Sequence, residues 1–153
     1  METRTQDMDL QILKKLYFSN CEDAAFYKNS STFIRRIFFK RFFQRLRNQK
    51  QSFKKTLKVL ILEKIQEPSE IIDYRIKKNN KSSSCFHYFN YPRNKNRVIK
   101  ECHRKELKAL AAYQMAINKL KDKKLKAALE EHLQEIKLVV REMNVMGVIR
   151  FFV

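Results

Sequence analysis

Between Ile99 and Met143 apolar side chains recur at steps of three and four with one short interruption, a pattern that suits two helices folded back on each other. In the first stretch Ile99, Cys102, Glu106, Leu110, Tyr113 and Ile117 share a face, apolar except for one carboxylate. In the second, Leu125, Leu129, Leu133, Ile136, Val140 and Met143 do the same, and alanines at 109, 111, 112, 116, 127 and 128 add helix formers. Leu-Lys-Asp-Lys-Lys separates the two stripes. Asp122 can cap the second helix by accepting a hydrogen bond from its free first-turn N–H groups. So short a connection makes the two helices antiparallel. Gly147 suits a helix end, where positive φ costs glycine least.

One glycine and two prolines in 153 residues leave few tight turns, which excludes most all-β architectures and favours long helices. The length fits a single domain, residues 1–153, able to bury about two-thirds of its unfolded surface. No apolar run reaches the 18 or so residues of a membrane span, so no transmembrane segment is expected. METRTQDMDLQ lacks the apolar centre of a secretory signal, and the expected compartment is the cytoplasm. Cys21, Cys85 and Cys102 are far apart and form no CxxC, which suggests reduced, packed thiols.

The first half reads as another hairpin. Leu10, Leu13, Tyr17, Cys21 and Ala24 predict a helix over 6–28, with Asp7 or Asp9 near its start favoured by the dipole. The cluster Asn29, Ser30, Ser31, Thr32 is expected to break it and to offer an N-cap to the next helix. That helix, over 33–65, places Ile34, Phe38, Phe42, Leu46, Phe53, Leu57 and Leu60 inside. At about 50 Å it would outrun its neighbours, and a bend is expected near 48–52. Residues 66–93 are too many for a simple turn and predict a crossover with one or two short helices, opened by Pro68. The aromatic segment from Cys85 to Pro92, with His87 as packing, would lie on the bundle. Helices over 94–119 and 122–146 follow, and the apolar tail 148–153 is expected to dock on its own bundle.

Hairpin, long crossover, hairpin is the ferritin-like way to connect four helices. The stretch from Val98 through Glu101-Cys-His-Arg-Lys-Glu106 to Ala116, followed by 125–137, resembles the second half of the bacterial ferritin-like four-helix-bundle proteins grouped as a domain of unknown function. Leu10 to Phe33 is similar to that family's first helix and turn. The resemblance implies an all-α, ferritin-like four-helix bundle and no particular reaction. This chain departs from the family's pattern in having Lys105 where a glycine usually precedes the glutamate, no glycines between the halves, and a far more basic second helix.

A ferritin-like di-iron site needs inward carboxylates from all four helices, with a Glu-x-x-His on two of them. The second helix has no Asp, Glu or His between Phe33 and Leu62, so the full set cannot be built. What remains is His103 with Glu106 and His132 with Glu135, spaced so that a mononuclear site across the hairpin is geometrically allowed. Salt bridges or boundary hydrogen bonds are the commoner use of such pairs. Glu106, inside an apolar stripe, needs a partner such as a Lys, an Arg, Tyr17 or Tyr113. No phosphate loop, nucleophile setting or HExxH is present, so enzymatic chemistry is the weakest class and no cofactor is expected.

Net charge is +18, and eleven Lys or Arg with no acid lie between Asp23 and Glu63. Arg35, Arg36, Arg41, Arg45, Arg47, Lys50, Lys54, Lys55 and Lys58 ring the apolar stripe of the second helix. Such a field favours an anionic partner, whether nucleic acid, an acidic protein or a lipid surface. With Phe38 and Phe42 at core spacing, base stacking is not expected. The sequence therefore points to a non-enzymatic binding or structural role and leaves the partner, including a homodimer, open.

Overall fold

The computed structural model describes residues 2–65 and 95–146, with side chains from 8 to 65 and from 96 to 146. The expected crossover over 66–93, the aromatic segment with His87, Gly147 and the apolar tail 148–153 lie outside the described residues. Among the described residues there are four α-helices and no strand: α1 (Glu2–Phe33), α2 (Ile37–Lys64), α3 (Lys95–Lys119) and α4 (Lys123–Val145). None of these helices is long and apolar enough to cross a membrane. The chain divides into two compact units, Met1–Tyr91 and Pro92–Val153. The first contains α1 packed on α2, the second α3 packed on α4.

In the first unit the turn lies at residues 34–36, not at 29–32 as the polar cluster suggested. The hydroxyls responsible for that expectation turn back into the helix. Ser30 Oγ donates to the Phe26 carbonyl at 2.7 Å, Ser31 Oγ to Lys28 at 2.8 Å and Thr32 Oγ1 to Lys28 at 3.0 Å. Satisfied in this way, a Ser/Thr run no longer competes with the helical backbone, and α1 continues to Phe33. The N-cap of α2 is then Arg36, which makes no side-chain capping bond. At the other end α1 begins at Glu2, so Asp9 is an interior, buried residue and not a first-turn anion.

Moving the turn also balances the hairpin. α1 gains the residues that α2 loses, leaving helices of 32 and 28 residues, about 48 and 42 Å long. No overhang needs relief, and α2 runs unbroken through 48–52. The two helices are antiparallel. Tyr27 stacks on Phe43 with centroids 6.1 Å apart, and ten residues back along α1 Tyr17 meets the ammonium of Lys54, eleven residues forward along α2.

The buried stripe of α2 is Phe42, Phe43, Leu46, Lys50, Phe53, Leu57, Leu60 and Ile61. Phe38 does not belong to it and is 61% exposed. At 100° per residue the stripe is centred near Leu46, Lys50 and Leu57, and Phe38 lies about 90° from that line. Ile34 is buried, but as a turn residue ahead of α2. Spacing of four therefore linked Ile34, Phe38 and Phe42 across a break in the helix.

The second unit follows its sequence more closely. Its connection is residues 120–122, with Leu120 buried. Asp122 is the N-cap of α4, and its Oδ1 accepts from the Lys124 N–H at 2.9 Å. Ile99, Cys102, Glu106 and Tyr113 are buried as expected, whereas Ala109 and Ala116 replace Leu110 and Ile117 at the centre of the α3 stripe. On α4, Val139 is buried and Val140 only half-buried. Both shifts are those of a 3.6-residue repeat drifting against a regular three-four reading.

These packing assignments predict distinct costs in urea denaturation followed by circular dichroism. Leu129→Ala, at a side chain with no exposed surface, should cost about 2–5 kcal/mol. Asp122→Ala should cost about 1 kcal/mol through the lost cap. Phe38→Ala should stay within about 0.5 kcal/mol of the parent.

Candidate functional site

The basic residues of α2 divide sharply once its buried side is fixed. Arg35 and Arg36 in the turn, and Arg41, Arg45, Lys55 and Lys58 on the helix, are exposed. Lys40 is exposed beside them and was missed, although its place between Arg36 and Arg41 was visible in the sequence. Arg47 and Lys54 are half-buried. Arg47 Nε is buried with no hydrogen-bond partner among the described residues. Lys54 lies against Tyr17, with Nζ 5.8 Å from the ring centroid, and donates to Gln51 Oε1 at 3.4 Å.

Lys50 leaves the set altogether, because it is fully buried and its Nζ sits 5.5 Å from the Phe53 centroid. Its position in the centre of the apolar stripe outweighs its charge, and an anion on the outer face cannot reach it. The same unit buries the carboxylates of Asp9 and Asp23 and the amide of Asn20, whose Nδ2 donates to the Leu16 carbonyl at 2.9 Å. The antiparallel register sets Lys50 level with Asn20, with Asp23 about one turn away. A core holding both signs of charge avoids the full cost of burying one sign alone.

The exposed cations lie on a stretch of chain that holds no acid from Ala24 to Leu62. Along this surface Ile37, Arg41, Arg45, Asn48, Ser52, Lys55, Val59 and Leu62 are all exposed and follow steps of three and four. They form one continuous outer stripe, opposite the buried one. Arg45 is held partly in place by the Phe42 ring, its guanidinium carbon 5.5 Å from the centroid.

The second unit places its candidate ligands differently from the mononuclear arrangement that the spacing allowed. Glu106 is fully buried, His132 is buried, His103 is half-buried and Glu135 is exposed. Tyr113 Oη and His132 Nδ1 share a hydrogen bond of 3.0 Å, with the rings edge to face at 5.6 Å. That contact sets the register of the hairpin and leaves Glu106 seven residues, about 10 Å, along α3 from the level of His132. His103 is a further turn away. Among the described residues no group of three or more His, Cys, Asp or Glu could hold a metal ion. The two His-x-x-Glu pairs are thus not brought together. On the surface of α3, Arg104 and Glu101 make a two-pronged ion pair one turn apart.

No protein-family model matches this chain, and no curated protein or solved structure shows significant similarity to it.

The Tyr113–His132 bond crosses between helices in a buried setting, where losing one partner strands the other. Tyr113→Phe should destabilise the protein by about 1–3 kcal/mol. A double-mutant cycle with His132→Phe should return a coupling of roughly 0.5–1.5 kcal/mol in urea denaturation, and strict additivity would show the contact to be energetically idle.

Proposed function

We propose that this chain is a ferritin-like helical-bundle protein with a non-enzymatic binding role, and that the outer face of α2 receives an anionic partner. The ferritin-like reading is supported by two antiparallel hairpins in chain order, separated by a long connecting segment, together with the resemblance of residues 98–137 to that family. The binding role is carried by one observation. Seven cations, Arg35, Arg36, Lys40, Arg41, Arg45, Lys55 and Lys58, are exposed on a stretch of chain that holds no acid.

An ordinary solvated helix face intersperses both signs of charge, and its potential cancels over roughly a Debye length of 8–10 Å. Here nothing on the same stretch cancels it. The field extends along about 27 Å of helix from Lys40 to Lys58, with Arg35 and Arg36 just ahead of it, and attracts phosphates, sulfates or carboxylates arrayed on a partner. Binding of this kind weakens steeply as salt rises.

Retention on immobilised heparin, a generic polyanion, tests the face. Replacing Arg41, Arg45, Lys55 and Lys58 by Gln should weaken heparin binding roughly tenfold or more and lower the eluting salt. The same reduction in charge at the exposed Lys100, Lys108, Lys121 and Lys137 should change it far less. Lys50→Gln should alter stability and leave heparin binding as it was. Equal effects from the two four-residue sets would mean that net charge alone is responsible, and the proposed face would be wrong.

A further inference from the structure

We infer that the anionic partner of α2 is a membrane surface rich in acidic lipid, on which the helix lies with its outer stripe down. The inference rests on the reading of α2 as the anion-binding face and adds the identity of what binds there.

The outer stripe is not uniformly basic. It begins with Ile37, 67% exposed, beside Phe38, 61% exposed, and ends with Val59, 56% exposed, and Leu62, 44% exposed. Between these apolar ends lie Lys40, Arg41, Arg45, Lys55 and Lys58, with the neutral Gln44, Asn48 and Ser52 among them. Ile37 and Leu62 are separated by 25 residues, about 37 Å of helix, and sit on the same side of it. Four large apolar side chains are therefore held out in water at the two ends of a cationic strip. The core does not need them, because the buried stripe starts at Phe42 and is complete without them.

Charge alone fits any polyanion, but the apolar ends discriminate. A nucleic acid takes up exposed side chains of this kind by stacking bases on aromatic rings, and only Phe38 of the four has a ring. Ile37, Val59 and Leu62 are branched aliphatics with no flat face. At a bilayer all four have a use. An interfacial helix sinks apolar residues into the boundary between headgroups and acyl chains while Lys and Arg stay level with the phosphates. The outer stripe of α2 has both components without any unpacking, since its inner stripe remains in the hairpin. An acidic protein would match the charge but offers no shared reason for apolar anchors at both ends.

The chain contains no tryptophan, so F38W introduces a single indole at the proposed point of insertion. The 153-residue F38W chain is mixed with vesicles of 30% phosphatidylserine in phosphatidylcholine, with pure phosphatidylcholine vesicles, with an unrelated single-stranded oligonucleotide, and with heparin. The expected result is binding to the acidic vesicles alone among the two lipid samples, a blue-shifted indole, and quenching by brominated acyl chains. I37S/F38S and V59S/L62S should each weaken vesicle binding about tenfold and leave heparin binding within about twofold.

Heparin binding without vesicle binding would overturn the membrane inference and leave the anion-binding face intact. So would vesicle binding with an unshifted indole and no effect of the serine variants. Tight oligonucleotide binding with the indole quenched by stacked bases would assign the face to nucleic acid instead. Failure to bind heparin as well would remove both readings together.

Discussion

An amphipathic helix whose cations have no carboxylate on their own stretch of chain has to turn its charge to one side, and α2 organises the first unit around that requirement. Its inner side is filled by Phe42, Phe43, Leu46, Phe53, Leu57 and Ile61, packed against an α1 stripe that includes Leu13, Tyr17 and Tyr27. Burying a large apolar side chain contributes on the order of 1.5–3 kcal/mol, whereas moving an unpaired ammonium inside costs far more. Packing and charge therefore select the same orientation of the helix. Lys50 is the exception, in a unit that also buries Asp9 and Asp23.

How far the sequence revealed this depends on the element. The second hairpin was legible almost to the residue, because Asp122 caps as its chemistry suggests and the stripes of α3 and α4 are interrupted only once. The first was legible as a hairpin but its turn was misplaced. Ser30, Ser31 and Thr32 have hydroxyls that serve equally well to cap a new helix or to bond back into an old one, and spacing does not distinguish the two. From that one ambiguity follow the missing bend in α2 and the exposure of Phe38. Lys50 was misjudged for a different reason. A charged residue at the centre of an apolar face reads as an outlier in the pattern, and its burial emerges only when the position of the stripe is known.

The candidate sites were legible in type more than in membership. The basic stretch was plain from composition, but which cations face out required the phase of the helix, which keeps Arg41, Arg45, Lys55 and Lys58, adds Lys40 and withdraws Lys50. On the second hairpin the repeated His-x-x-Glu spacing named two pairs that the register between α3 and α4 does not bring together. His132 meets Tyr113, about two helix turns along α3 from Glu106, while Glu135, on the next turn of α4, is exposed. Spacing along one helix fixes neighbours on that helix. It does not fix the register between two.

The whole account depends on which side of α2 faces outward, and trace acetylation of the folded protein, read lysine by lysine by mass spectrometry, tests this most directly. Lys40, Lys55 and Lys58 should be modified quickly, and Lys50 more slowly by on the order of tenfold or more, since its ammonium is reached only when the hairpin opens. Equal rates at Lys50 and Lys55 would place both on one accessible surface. The orientation of α2, and with it the anion-binding face, would then be contradicted.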